Sequence, residues 1–302
     1  MSTREKPLHA PMDQFQSAGR ELLVGGIPLE RLVDRVGQTP FYAYDRELLT
    51  RRVAELRAAL PASIKLHYAM KANPMPAVVN HMARLVDGID VASGGELLVA
   101  LDSGADPHEI SFAGPGKRHG ELRQAVAAGI LINIESFREV AELGAIRQAT
   151  GWPVRVAVRV NPDFELKGSG MKMGGGPKQF GVDAEQVPEL LAEIGKAGLA
   201  FEGFHLFAGS QNLRPEAIVE AQQKCFELAL RLAESAPAPS SPKPPRRCPR
   251  PRSSSNSAAT SWAKRASTLP RCSTARSPAG SPIWSQTAGC TTTCRHPATS
   301  GR

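Results

Sequence analysis

A lysine closing an apolar run is the first residue here with chemistry in it. Ile64–Met70 reads as a buried strand, and the chain leaves it as His67-Tyr-Ala-Met-Lys71-Ala-Asn73. Burying an ammonium is costly unless its pKa falls or it finds a partner. A lowered pKa is what an amine needs to form a Schiff base with a carbonyl. The plainer reading is a strand-end lysine that snorkels to water. Other strand ends carry polar groups too. Gly88–Ala92 leads into Asp90-Val-Ala-Ser93-Gly-Gly-Glu96, where Ser93 and Glu96 have the spacing of a helix capping box and Asp90 and Glu96 remain candidates for a site. In Val154–Val160, Arg159 alternates with apolar neighbours, so it faces inward and needs an acidic partner or a ligand. Further on, His205 and Phe207 share one face of Phe201–Ala208 by the period of two. Gly209-Ser210 follows and can offer a backbone N–H and a hydroxyl to an anion.

These residues need a scaffold that gathers strand ends. The strands expected are Ile64–Met70, Gly88–Ala92, Ile110–Ala113, Leu131–Ile134, Val154–Val160 and Phe201–Ala208, with amphipathic stretches between them and a further helix from about Pro215 to Glu234. The runs are near-continuously apolar, which suits parallel strands covered on both faces. Strand–helix alternation with short loops means right-handed βαβ units, about six of them. A doubly wound sheet and a (β/α)8 barrel both fit, and in either fold the site gathers at the C-terminal ends of the strands. Upstream, Thr39-Pro-Phe-Tyr-Ala-Tyr-Asp45 reads as a strand of a separate small β module, followed by a helix over Arg46–Leu60. The Gly-rich stretch Gly168–Gly176 reads as a loop over the C-terminal face rather than a phosphate cradle, since no helix start follows it at once.

Charge divides the chain. The net charge of +8 arises after Ser235, where residues 236–302 hold 11 Lys+Arg and no Asp or Glu; the first 235 residues hold 26 Lys+Arg against 29 Asp+Glu. The basic balance is therefore no nucleic-acid footprint of the whole protein. The same tail holds 11 Pro and 13 Ser but one Leu, one Ile and no Val, Phe or Met, a composition expected to be disordered. The organisation expected is an N-terminal segment over 1–45, a folded region over 46–235 and a tail over 236–302. There is no run of about 18 apolar residues for a membrane helix and no apolar signal-peptide core near Met1. Four of the five Cys lie in the tail, so a reducing, cytoplasmic setting is expected, with no disulfide framework.

The ordered series of motifs has a counterpart in a known family. Tyr68-Ala-Met-Lys71-Ala-Asn73, Asp90-Val-Ala-Ser-Gly-Gly-Glu96, Arg159-Val-Asn-Pro162, Gln179-Phe-Gly181 and Gly209-Ser-Gln211 together resemble the fold-type III pyridoxal-phosphate decarboxylases, diaminopimelate decarboxylase among them. The run Met171-Lys-Met-Gly-Gly-Gly-Pro-Lys-Gln-Phe-Gly181 is similar to the branch associated with bacterial exosortase systems. The resemblance extends from about Leu22 to Ser235. It implies an alanine-racemase-like N-terminal (β/α)8 barrel, incomplete here at about six units and lacking the family's C-terminal β-domain. It implies a lyase of lysine biosynthesis that uses pyridoxal 5'-phosphate, acts on a small amino acid and forms a homodimer, with no metal, nucleic acid or membrane involved.

Residue by residue, the resemblance implies that Lys71 carries the cofactor as a Schiff base. Arg159 would lie near the cofactor's phenolic oxygen, with Asp90 and Glu96 in its surroundings, and Ser210 would donate to the phosphate. Many relatives stack a His on the pyridine ring two positions before the Gly-Ser pair. That position is Phe207 here, and His205 matches the His two residues further back. Phe can stack but cannot donate a proton. A Gly-rich phosphate loop, a Glu facing the pyridine nitrogen, and a Cys and a Tyr of the β-domain are not readable after Ser235, so the 302-residue form is expected to be inactive. A racemase-like barrel and a catalytically dead cofactor-binding remnant are the alternatives.

The acid-free tail resembles GC-rich coding sequence read out of frame. Shifted by two bases, Asn256–Thr268 can spell E-L-G-R-Y-L-V-G-E-A-G-I-Y, and Ala288–Gly301 can spell G-G-L-H-H-H-L-P-A-S-G-N-F. The first resembles a later motif of the same family and the second a strand of its β-domain. Cys290, Cys294 and His296 are accordingly not read as a zinc site.

Overall fold

The computed structural model describes residues 14–164, 171–172, 179–207, 209–210, 215–236, 284–287 and 291–295. Its first feature is a turn at Gly25-Gly26, both at left-handed φ (59° and 72°), where a side chain would be strained. β2 (Glu21–Val24) and β3 (Ile27–Pro28) pair antiparallel across that turn, and β1 (Ser17–Ala18) pairs on the other side of β2. Helix α1 (Leu29–Val36) follows and ends at Gly37 in the left-handed region. The strand expected at Thr39–Asp45 does not form. A β-rich run becomes a strand only by finding a ladder, and this one is committed to a helix start instead. Asp45 caps α2 (Arg46–Ala59) by accepting from the Glu47 and Leu48 N–H groups, and it also holds the Gly25 N–H at 3.0 Å.

Six parallel βα units follow, as expected. The first four are β4 (Ile64–Ala69) with α3 (Pro76–Met82), β5 (Gly88–Val91) with α4 (Gly94–Asp102), β6 (Ile110–Phe112) with α5 (His119–Ala127) and β7 (Leu131–Ile134) with α6 (Phe137–Thr150); the fifth opens with β8 (Arg155–Asn161). The chain passes through β9 (Met171–Lys172) and β10 (Val182–Asp183) to α7 (Val187–Lys196), then enters β11 (Ala200–Phe207), β12 (Gly209–Ser210) and α8 (Pro215–Ala233). The neighbours β4–β5–β6–β7–β8–β11 are parallel throughout.

Register sorts the faces. Ile89, Val91, Ile110, Phe112, Ile132, Ile134, Val156, Val158, Phe204 and Leu206 are buried in one core with helix residues such as Leu97, Leu122, Leu143 and Leu190. Each such side chain stabilises by about 1.5–3 kcal/mol when fully buried. The alternate residues lie on the opposite face, where His67, Asp90, Ser111 and Asn133 bond to one another across β4 to β7. Local signals fix the helix starts: Ser93 accepts from the Glu96 N–H and Ser136 from the Glu139 N–H, while Pro76 and Pro188 open α3 and α7.

The sheet closes on itself through part of the tail. β13 (Trp284–Thr287) and β14 (Thr291–Arg295) form an antiparallel hairpin; β14 pairs antiparallel with β11, and β13 parallel with β4. These two short strands of the tail pair with both ends of the parallel run, β4 and β11. The physical reason is the row of unpaired N–H and C=O groups that each edge would present. Two reversals return the hairpin to the common direction, so β13 can lie parallel to β4. Among the described residues the ring thus holds six parallel strands and one inserted hairpin. Gly168–Gly170 and Gly174–Gly176 of the Gly-rich loop, and the remainder of 236–302 after Ala236, lie outside the described residues. No described helix is long and apolar enough to cross a membrane.

Candidate active site

Lys71 sits just past the end of β4, on a short turn of 3-10 helix over Met70–Ala72. The turn is pinned locally. The Tyr68 hydroxyl donates to the Asn73 carbonyl at 3.0 Å, the Asn73 N–H bonds back to the Met70 carbonyl, and the Asn73 side chain accepts from the Met75 N–H. Met70 is fully buried, while its neighbour Lys71 is exposed. That anchors the backbone and leaves the amine free to reach a ligand at the mouth. Its Nζ lies 6.0 Å from the centre of the Phe207 ring. The structure therefore brings together the first and sixth strand ends, as their placement predicts.

Arg159 and His205 are register partners on β8 and β11. Arg159 does have an acidic partner, but that partner is Glu135. Its Nη1 lies 3.2 and 3.3 Å from the two Glu135 oxygens, and its guanidinium carbon lies 4.8 Å from the Phe180 ring centre. Glu96 accepts from the Ala92 N–H at 2.7 Å and serves the start of α4. This is the capping reading of the Ser93/Glu96 pair, with the return bond one residue earlier. Asp90 lies on the inner face, 3.0 Å from His67 Nδ1 and 2.7 Å from the Ser111 hydroxyl that donates to it. Burial opposes its charge, but the bonds from His67 and Ser111, with the nearby His205, hold its pKa below the ordinary carboxylate value. The histidine between these charges responds the other way. Burial, and then the positive Arg159, push His205 down to about 3 against the pull of Asp90. It is neutral across the physiological range, and its Nδ1 has no hydrogen-bond partner among the described residues.

Gly209-Ser210 pairs antiparallel with Met171–Lys172, which sets the end of the sixth unit against the Gly-rich segment. The Ser210 side chain lies outside the described residues. Glu135 was missed from sequence. Its signal was available, because Leu131, Asn133 and Glu135 share the inward period-two face and Glu135 directly follows β7. Lys117 and Glu139, a buried ion pair behind Glu135 at 3.0 Å, carry no such signal. A lysine in a Gly-Pro-Gly-Lys turn and a glutamate in a helix's first turn both read as surface residues. Among the described residues no group of three or more His, Cys, Asp or Glu could hold a metal ion.

The arrangement suits a flat, anionic, carbonyl-bearing cofactor. It offers an accessible amine, an aromatic face beside it and a clamped guanidinium. Residues 46–237 match the family described as pyridoxal-dependent decarboxylase, pyridoxal binding domain. The diaminopimelate decarboxylase of Aquifex aeolicus is 36% identical over 215 residues, covering 69% of this chain and 50% of that enzyme. The L-glutamyl-[BtrI acyl-carrier protein] decarboxylase of Niallia circulans is 33% identical, covering 65% of this chain and 46% of the relative. Among solved structures, the diaminopimelate decarboxylase of Helicobacter pylori complexed with L-lysine superposes with a TM-score of 0.59 at 31% identity, covering 68% of this chain and 53% of that one. The chain thus spans about half the length of the curated relatives it matches. By its matched region, its six βα units and its strand-end lysine the chain belongs to the pyridoxal-dependent decarboxylases of fold type III.

Proposed function

We propose that the barrel binds pyridoxal 5'-phosphate through Lys71 and that the reaction it serves is decarboxylation of a free amino acid of the diaminopimelate type. The observation that carries this reading is the exposed Lys71 amine at a strand end, 6.0 Å from the Phe207 ring. When bound, the cofactor supplies the electron sink for the pair left behind as carbon dioxide departs. The chain's own residues do the rest. Lys71 would hold the cofactor covalently. Phe207 would offer it an aromatic face in place of the histidine of many relatives, and Arg159 would supply a positive charge to it. Gly209-Ser210 would receive its phosphate, with Asp90 and the neutral His205 nearby.

A second substrate reading, an amino acid carried on an acyl-carrier protein, is favoured by the 33% identity to the Niallia circulans enzyme. A homodimer, a cytoplasmic setting, a place in lysine biosynthesis and membership of the exosortase-associated branch belong to the proposal. The last is supported by the Met171–Gly181 run. The 302-residue chain is proposed to be a poor decarboxylase. The phosphate loop and the carboxylate that the resemblance sets against the pyridine nitrogen are not readable after Ser235, and one such preorganised contact is worth about 10²–10³ in rate.

Purified chain mixed with pyridoxal 5'-phosphate should gain a visible absorbance that borohydride locks onto the Lys71 peptide. Lys71→Ala should show neither. Absorbance kept by Lys71→Ala, with the label on another lysine, would overturn the assignment. Brisk carbon dioxide release from diaminopimelate would show that the tail replaces more than we propose.

A further inference from the structure

One carboxylate joins three strand ends on the side of the barrel away from Lys71. Glu135 follows β7, and its side chain is 1% exposed. Its Oε1 accepts the Gly114 N–H at 2.5 Å, from the loop after β6. Its Oε2 accepts the Gly181 N–H at 3.2 Å, from the chain entering β10. Both oxygens meet Arg159 Nη1. Among the described residues every contact made by the carboxylate is with an N–H donor, so the site calls for two acceptor oxygens. A glutamine of the same shape would turn an NH2 group toward one of these donors.

Glu135 is itself held from behind. Its backbone N–H donates to Glu139 Oε2 at 2.8 Å. The Lys117 ammonium lies 3.0 Å from both Glu139 oxygens and donates to the Gly114 carbonyl at 2.7 Å. Burial holds the Glu139 carboxyl above its ordinary value, with the Lys117 charge opposing. A buried ion pair is weak evidence for stability in itself, so its use is better sought in what it orders. On the far side, Gly181 could not be replaced without a shift. Its φ is +75°, and a Cβ there would sit 2.9 Å from the Arg159 carbonyl oxygen and 3.1 Å from the Asn161 nitrogen. That close approach delivers the Gly181 N–H to Glu135 and seats Phe180 over the guanidinium.

We propose that Glu135, braced by Lys117 and Glu139, is a positioning residue that fixes the direction of the Arg159 guanidinium at the mouth and couples it to the Phe180-Gly181 segment. The part of this that concerns the cofactor rests on the reading given above; the fixing of Arg159 does not. Without the carboxylate, Arg159 keeps its charge but loses its fixed direction. The expected cost is about tenfold in affinity for pyridoxal phosphate, the low end for loss of a supporting residue.

The test is Glu135→Gln in the full chain, with Glu135→Asp as the variant that keeps the charge but shortens the reach, and carries the comparison if Glu135→Gln does not fold. First, with no cofactor added, arginine side-chain NMR follows the Arg159 Nε–H signal, assigned by its loss in Arg159→Lys. Restricted rotation about the Nε–Cζ bond is expected in the parent, and free rotation in Glu135→Gln. Unchanged restriction overturns the proposal. Second, pyridoxal phosphate affinity is measured for Glu135→Gln, Arg159→Met and the double variant. A loss in Glu135→Gln that vanishes in the Arg159→Met background supports coupling through Arg159. Strictly additive losses, or none, overturn the cofactor part. Freed rotation in a chain whose parent takes up no pyridoxal phosphate through Lys71 would uphold Glu135 as the support of Arg159 and sink the cofactor reading instead.

Discussion

His205 shows how one residue can carry a pH response. It is 6% exposed, faces Arg159 and Asp90, and has its pKa pushed from 6.5 down to about 3 by burial first and then by Arg159. The unfolded chain therefore binds a proton here between pH 6.5 and about 3 that the folded chain refuses. Stability from this residue is complete above about 6.5 and is lost as pH falls through that window, with a slope of up to about 1.4 kcal/mol per pH unit for a single proton. Urea melts at steps from pH 7 to pH 4 should show that slope in the parent and a flatter line in His205→Gln. The same slope in both would mean that His205 is not the buried neutral group described here. What the sequence disclosed at this scale followed from strand periodicity. Arg159, His205 and Phe207 could be placed because a period of two assigns faces without any knowledge of neighbours, and Lys71 because it closes an apolar run. Glu135 escaped because its importance lies in three partners distant in sequence, Gly114, Arg159 and Gly181. Glu96 keeps two readings because a helix cap and a site carboxylate look the same in one dimension.

Elements were legible where they were long, apolar and punctuated. Leu131–Ile134 begins and ends where its pattern does, and the other five parallel strands shift by a residue or so. The N-terminal hairpin was legible in principle from Gly25-Gly26 between two apolar runs, yet the aromatic run at Phe41–Tyr44 is a stronger β signal and drew the assignment away. One element depends on an absence of side chain. Gly88 opens β5, and a Cβ there would overlap the Glu109 carbonyl oxygen, with the His67 ring atoms only 2.5 and 2.6 Å away. The carbonyl belongs to the backbone leading into β6, so it cannot swing aside like a side-chain tip. Overpacking of this kind costs about 1–3 kcal/mol or more. Gly88→Ala should therefore melt several degrees lower, with the His67–Asp90 contact disturbed. A melting temperature within a degree of the parent would show that β5 and β6 have room the structure does not give them. Ser136 offers a milder comparison, since losing its cap on α6 should cost about 1 kcal/mol.

For the whole molecule, two accounts of the tail lead to opposite expectations. A tail translated out of frame has no evolved sequence and should contribute nothing to the barrel. The pairing of β13 with β4 and of β14 with β11 gives it the two remaining places in the ring. Removing residues 237–302 separates the accounts. If the hairpin caps the ring, the shortened chain exposes the edges of β4 and β11, each able to recruit a strand from another copy. It should then melt lower than the parent and sediment as a mixture of larger species. Charge must be kept apart from this effect. The deletion removes 11 Lys+Arg and no acids, turning a net charge of +8 negative, and a smaller charge magnitude alone promotes association. Running both chains in low and in high salt controls for that, because screening suppresses the charge difference but leaves open backbone edges in place. Self-association of the shortened chain that persists in high salt would show the hairpin to be part of the barrel. A shortened chain that stays monodisperse and melts with the parent would show that the six parallel units hold without it, as the out-of-frame account requires.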